Sequence, residues 1–277
     1  MSDLLLNYEP VIRVSFFIGI LLIMAVWEVV SARRPQAIGR NKRWPHNIMI
    51  VVVDTLAVRL VFPMVAIGAA FLSVDKGWGV LNLISLPDWI SVLLAVVILD
   101  LVIYFQHRVF HAVPWFWRLH RMHHADLEFD VTTGLRFHPL EILLSMGLKI
   151  VVVIALGAPP IAVLIFEVLL NATSMFNHAN IYIPTNVDRY LRRVVVTPDM
   201  HRVHHSILRE ETDSNFGFNL PWWDWIFKTY RSQPVKGHQD MTIGIQQFRS
   251  HEQLRVDKLL IQPFLDDNES LHTSNIK

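Results

Sequence analysis

The stretch Trp89–His124, WISVLLAVVILDLVIYFQHRVFHAVPWFWRLHRMHH, sets an apolar run directly against five histidines. A membrane-crossing helix needs about 20 mainly apolar residues at about 1.5 Å each, and the run from Trp89 to Gln106 comes to that length. A helix entering near Asp88 therefore leaves the bilayer at His107, with His111 one turn beyond. Whatever these histidines do, they do it at a membrane boundary.

Working outward, Val11–Val30 and Asn47–Leu72 are further spans of sufficient length, and Pro139–Ala155 and Pro160–Phe176 are shorter apolar runs. Each short run opens on proline, which the first turn of a helix tolerates, and Gly157-Ala158-Pro159 separates them as the turn of a helical hairpin. Asp3 and Glu9 precede the first span and no small-residue cleavage site follows it, so the expectation is a retained helix rather than a cleaved leader. Arg33, Arg34, Arg40, Lys42 and Arg43 follow the first span, whereas the loop after the second carries only Lys76. Counting cationic loops then puts residues 107–138 and everything from Asn177 onward in the cytosol, with the N-terminus outside. Composition agrees: of 277 residues 52% are hydrophobic and 18% charged. The fold class expected is an all-α integral membrane protein of about five membrane helices carrying a cytosolic helical cap. Residues 1–88 form N-terminal membrane helices, 89–232 a catalytic domain, and 233–277 a polar tail at the surface or partly disordered.

The absence of cysteine excludes a disulfide scaffold, a thiolate metal site and a cysteine nucleophile. A net charge of +1 gives no basic field for nucleic acid, so no nucleic-acid partner is expected. Histidine is the conspicuous residue, with 14 copies. Ten lie between 107 and 205, as His107-x3-His111, His120-x2-His123-His124 and His201-x2-His204-His205, with His138 and His178 standing alone. Chance would supply a His-x2-His-His triplet roughly 0.04 times in such a chain, and two occur. On a helix the i, i+3 and i+4 positions share a face, so each triplet is expected to aim three imidazoles at one point, a metal-ligand geometry. His138 just precedes the fourth span and His178 just follows the fifth, at the same boundary as His107. Imidazoles without thiolate suit iron, zinc, copper or nickel, and eight to ten are too many for one ion, so two metals are implied. The remaining His46, His238, His251 and His272 read as surface or backbone-bonded residues.

The patterned segments resemble the fatty acid hydroxylase and sterol desaturase superfamily of membrane di-iron oxygenases. Gln106–His111 looks like its first histidine box, Trp117–His124 its second and Thr197–His205 its last. Arg136–Pro139, Phe176–Asn180, Asn215–Gly217 and Trp223–Thr229 resemble other family segments, although Lys228 stands where the family usually has glycine. The resemblance runs from about residue 90 to 230. It implies membrane helices with a cytosolic cap and two iron ions held by His107, His111, His120, His123, His124, His138, His178, His201, His204 and His205. It also implies O2-dependent attack on a C–H bond of a lipid drawn from the bilayer, whether sterol, fatty acyl or ether lipid. Reducing equivalents would come from a separate electron-transfer protein or a diffusible reductant, because the chain has neither cysteine for an iron–sulfur cluster nor a Gly-x-Gly-x-x-Gly loop.

Other residues carry weaker expectations. Asp126, Asp130, Asp199 and Asp224 are candidates to orient ligand rings, and Arg59 is a candidate ion-pair partner of Asp54 or Asp100 inside the membrane. Glu167 is a further intramembrane charge, and Asp100 could instead line the inner end of a lipid pocket. Trp115, Trp117, Trp222, Trp223 and Trp225 suit a cap lying at headgroup depth, where Arg118, Arg121, Arg192 and Arg193 could meet anionic headgroups or an acidic donor. A lipid hydroxylase is the leading reading, with a desaturase sharing the same site. A metal transporter would place its ligands near the bilayer midplane, and a zinc hydrolase needs only about three. The missing fused modules point toward a bacterial inner membrane.

Overall fold

Lipid offers no hydrogen-bond partner, so each apolar segment closes its own backbone into a helix. The computed structural model describes residues 6–266. Its principal helices are α1 (Glu9–Val30), α2 (Arg40–Val61), α3 (Ala66–Lys76), α4 (Asp88–Ala112), α5 (Pro114–His124), α6 (Pro139–Leu156) and α7 (Pro160–Asn177). The cap adds α8 (Thr185–Leu191), α9 (Pro198–His204) and α10 (Val256–Ile261). No strand forms among the described residues, and two isolated bridges, Ala32 to Ile181 and Ser206 to Ile243, are the only β pairing there. Five segments among them are long and apolar enough to cross a membrane: α1, Arg40–Leu83, α4, α6 and α7.

The second span differs from the expected unbroken Asn47–Leu72. Phe62 is extended, at φ −107° and ψ 116°, and α3 restarts only at Ala66. Pro63 explains the break, because it lacks an N–H and pushes the residue before it out of helical geometry. At the other end the helix starts early, at Arg40, because its first turns are clamped into the cap. Arg43 is fully buried and donates to Asp126 at 2.9 and 2.7 Å and also to Asp130, while Trp44 Nε1 donates to Asp130 at 3.2 Å.

The spans pack through small side chains. Ala66, Ala69 and Ala70 of α3 are completely buried in one cluster with Val153, Ala158, Ala162 and Val163, and small residues let helix backbones approach closely. At the end away from the cap the approach is closer still. A Cβ on Gly79 would stand 2.0 Å from the backbone N of Gly157, and both glycines have positive φ, so neither position admits a side chain. Val11, Val14, Leu22, Leu60 and Leu83, by contrast, point outward, as lipid-facing positions do.

The cap is tied down more thoroughly than its sequence suggests. Glu28 accepts from the backbone N–H of Val131 and Asn180 at 2.7 and 2.8 Å, so α1 is pinned to both loops that flank the histidines. Arg33 pairs with Asp199 at 3.0 Å and Arg34 donates to the Met241 carbonyl at 3.0 Å, so part of the basic loop serves the cap rather than headgroups. The segment expected as a surface tail also packs, as far as residue 266. Leu259 is buried against Ile50 and Met122, and Arg118 and Arg121 of α5 donate to the carbonyls of Gln262, Pro263 and Leu265 at 2.6–3.0 Å. Three arginines read as candidates for headgroups or a donor protein, Arg118, Arg121 and Arg192, thus bind this chain's own groups; Arg192 pairs with Asp188 and donates to Tyr230.

Candidate metal centre

Nine of the ten histidines converge, and they do so as two groups. His107, His111, His120, His124 and His204 bring one nitrogen each within 4.8 Å of one another, and so do His123, His178, His201 and His205. The triplets therefore do not each aim at one point, as expected, but are divided. At 3.6 residues per turn, position i+4 lies about 40° round the helix from i, whereas i+3 lies about 60° to the opposite side. His107 and His111 thus stay together, as do His120 with His124 and His201 with His205, while His123 and His204 cross to the other group.

His138 lies in neither group. Its Nδ1 accepts from the backbone N–H of Leu140 at 3.2 Å, capping α6, and its Nε2 meets the Leu260 carbonyl at 3.2 Å. The extended backbone before Pro139 aims the ring along the helix end rather than inward. Among the histidines set aside, His238 is buried, with Nε2 3.5 Å from Asp199, whereas His251 is exposed. His272 lies outside the described residues.

Hydrogen bonds decide which nitrogen each ring turns inward. The Nδ1 atoms of His107, His204, His123 and His178 lie 2.8, 2.7, 3.2 and 2.8 Å from the carbonyl oxygens of Phe216, Ser214, Arg136 and Ser174. A carbonyl only accepts, so each Nδ1 carries the proton and each Nε2 is left with a bare lone pair. His120 Nδ1 donates likewise to Glu141 Oε1 at 2.7 Å. Yet Nε2 of His107 stands 3.1 Å from that of His120 and 3.0 Å from that of His204, and Nε2 of His178 stands 3.1 Å from that of His123. Lone pairs facing at that distance with no proton between them repel, and a cation held among them removes the repulsion. Among the described residues the buried His111 Nε2 and His124 Nε2 have no hydrogen-bond partner, and Nε2 of His201 and of His205 stand 3.2 and 3.1 Å from that of His178. The donor set fits two metal ions.

Burial keeps the cap rings neutral. It pushes His120 and His178 down to about 3, and it holds His123, His124, His201, His204 and His205 well below the usual imidazole value, with neighbouring imidazoles adding to the effect. Neutral imidazole is the ligand form. Phe137 stacks on His123 at 4.4 Å and Phe129 on His178 at 5.5 Å, which fixes the ring planes. Gly134 lets the 133–135 turn reach α7, because a Cβ there would stand 2.5 Å from the Ser174 carbonyl and 3.0 Å from His178 Nδ1.

Among the described residues the carboxylates that touch rings of the two groups are Glu141, on His120, and Asp213, 3.3 Å from His111 Nδ1. Neither was among the sequence candidates, and the only signal for Glu141 is its place in the first turn of the helix that His138 caps. The four aspartates proposed to orient rings act at one remove. Asp126 and Asp130 hold Arg43, and Asp199 holds Arg33 and Arg202. Burial pushes Asp126 up, but Arg43 and Arg136 outweigh it and hold the carboxyl well below its usual range. Asp224 accepts from Phe216 and Gly217 N–H at 2.8 and 2.9 Å, so it shapes the loop whose carbonyl orients His107. Asp100 neither pairs with Arg59 nor lines the cavity; it accepts from Trp223 Nε1 at 2.7 Å and from two backbone N–H groups of the same loop. Trp117 packs 5.0 Å from His111, whereas Trp115, Trp222 and Trp225 face outward.

His107, His120 and Glu141 form part of the wall of a cavity of about 910 Å³ lined by residues of α1, α2, α3, α4, α5, α6 and α7. Its lining is mostly apolar near the histidines, including Phe110, Phe137, Ile142 and Phe218.

Comparison with known proteins gives a family for the region that carries the site. Residues 92–229 match the model of the fatty acid hydroxylase family. The chain is 30% identical to ornithine lipid hydroxylase OlsE of Rhizobium tropici over 157 residues, covering 57% of this chain and 46% of the relative. It is 31% identical to Homo sapiens alkylglycerol monooxygenase over 179 residues, 62% of this chain and 38% of the relative. It is 28% identical to Arabidopsis thaliana methylsterol monooxygenase 2-2 over 177 residues, 61% of this chain and 65% of the relative. The chain thus spans less than half the length of the first two relatives. No solved structure gave a match. The matched region carries every histidine of the two groups on a multi-pass membrane scaffold, and the chain belongs to the fatty acid hydroxylase and sterol desaturase superfamily.

Proposed function

We propose that this chain is a di-iron, O2-dependent oxidoreductase that hydroxylates a C–H bond of a lipid. The observation that carries the reading is the opening of a lone-pair-lined imidazole site onto an intramembrane cavity, through His107 and His120. Relatives named as hydroxylases and monooxygenases direct the choice of O2, and the resemblance of the histidine boxes to those of membrane di-iron oxygenases directs the choice of iron. Two bound ferrous ions would supply reductive activation of O2 and attack on the unactivated carbon.

The chain's own part is binding, orientation and exclusion of water. His107, His111, His120, His124 and His204 would hold one ion, and His123, His178, His201 and His205 the other. Glu141 keeps the proton on His120 Nδ1, so Nε2 stays a donor of electrons. Phe110, Phe137 and Phe218 line the approach and keep water from the reacting carbon. Residues 89–232 form the catalytic unit in this reading, although α1 and α2 supply part of the cavity wall. The enzyme sits in a bacterial inner membrane with its cap in the cytosol and takes electrons from a separate donor.

Elemental analysis of detergent-purified protein, together with lipid profiles of cells with and without it, tests the reading. About two irons per chain, lost in part in His204→Ala, and an O2-dependent hydroxylated lipid are expected. One zinc per chain unaffected by that variant, with no oxidised lipid, overturns it. An alkene in place of an alcohol would convert the assignment to a desaturase.

A further inference from the structure

The end of the cavity away from the histidines is charged. Along α6 the wall passes from Glu141 through Ser145 to Lys149, positions four apart that share one helix face, and eight residues at 1.5 Å each make about 12 Å. Lys149 Nζ lies 2.9 Å from Glu167 Oε1, and Arg13 of α1 lies 3.0 Å from Glu167 Oε2 and 2.8 Å from Glu9. Two cations are thus matched by two carboxylates. Arg59 of α2 lines the same cavity, five residues past Asp54, and is exposed. Among the described residues it makes neither an ion pair nor a hydrogen bond.

A guanidinium inside a membrane span is costly without a partner, and such residues normally face another charge or a polar cavity. Arg59 faces a cavity whose other cations are already paired. It offers up to five N–H donors, with a fork that fits two oxygens of one oxyacid. Lys149 and Arg13 retain donors beyond those given to Glu167 and Glu9. The cavity wall therefore joins the histidines to the donors of Arg59, Lys149 and Arg13, with Asp54 as a further buried carboxylate in the lining.

We propose that Arg59 anchors the anionic head, a carboxylate or a phosphate, of an amphiphilic substrate whose tail runs past Ser145 to His107 and His120. This deepens the lipid hydroxylase reading and rests on it.

The test is direct binding to the purified full-length protein, with affinity read by native mass spectrometry. The probes are a long-chain fatty acid, a lysophosphatidic acid and a monoacylglycerol of equal chain length. The fatty acid, the lysophosphatidic acid or both should bind more tightly than the neutral lipid. Arg59→Gln should weaken the anionic probes by about tenfold or more without changing monoacylglycerol binding, and Arg59→Lys should restore part of the loss. Ser145→Trp, which fills the channel, should weaken all three. Which anionic probe responds to Arg59→Gln separates a carboxylate head from a phosphate head. Equal binding of charged and neutral probes, or no effect of Arg59→Gln, overturns the proposal. So does a charge preference that survives Ser145→Trp, because binding would then lie outside the cavity. Binding as predicted without any oxidised product would keep the anchor and overturn the hydroxylase reading instead.

Discussion

Nε2 of His107 faces Nε2 of His204 across 3.0 Å, although 97 positions separate the two in sequence and each ring has its proton on the other nitrogen, turned to a backbone carbonyl. The contact joins the end of α4 to α9. Two unprotonated nitrogens so close define where a cation belongs, and the same arrangement between His123 and His178 defines a second place.

Because the groups are separate, one substitution should empty one of them first. His204→Ala is expected to lower bound iron from about two toward about one per chain and to abolish turnover, and His205→Ala to do the same through the other group. His138→Ala should keep both irons and lose about 1 kcal/mol of stability, the worth of an N-cap. Metal analysis of the three variants checks this, and loss of iron from His138→Ala would contradict the grouping.

Glu141 should behave as a support for a ligand. Replacing it by alanine removes the acceptor that orients His120, and losses of supporting partners typically cost about 10–100-fold in metal affinity. Competition with a chelator should show that loss, with Glu141→Gln less affected because its amide oxygen still accepts. Unchanged metal retention in Glu141→Ala would contradict this role.

Acid should destabilise the metal-stripped protein early. In the fold His120 and His178 take protons only near pH 3, whereas in the unfolded chain they take them near about 6.5. Their folded values are depressed, so as pH falls below about 6.5 the unfolded state gains protons first and stability drops, by up to about 1.4 kcal/mol per pH unit for each such ring. Below about pH 3 the folded rings protonate too and the loss stops growing. Melting temperature between pH 7.5 and 5 measures the effect; a flat profile would contradict it.

Lys228 adopts φ +59°, a left-handed conformation that costs a residue with a Cβ about 1–2 kcal/mol. The reason is the end of the short Trp222–Ile226 helix, where Thr229 N–H returns to the Asp224 carbonyl at 2.8 Å. Lys228→Gly should therefore raise the melting temperature with activity unchanged. Lys228→Val should lower it. The reverse order would contradict the turn geometry.

Gly134→Ala should act on the metal site through the backbone. Its new Cβ meets the Ser174 carbonyl and His178, so the turn or the ring must shift. Iron content and turnover should fall together while membrane insertion persists, and a variant with full iron occupancy would contradict the account.

The spans, the cap and the histidine boxes were legible in the sequence because each is local. Apolar length sets a crossing, proline and glycine punctuate it, and helical spacing puts His107 with His111 on one face. The break at Pro63 was legible in principle, since proline acts on its own neighbours. The two-site division was only half legible: i and i+4 stay together by periodicity, but where the i+3 residue turns depends on what stands beside the helix. Tertiary structure alone put His178 among His123, His201 and His205, removed His138 to a helix cap, and brought Glu141 to His120. It alone left Arg59 lining the cavity with no ion-pair partner among the described residues. Those outcomes depend on how α4, α5, α7 and α9 dock against one another, and no residue carries in its own neighbourhood the position of a helix that returns tens of residues later.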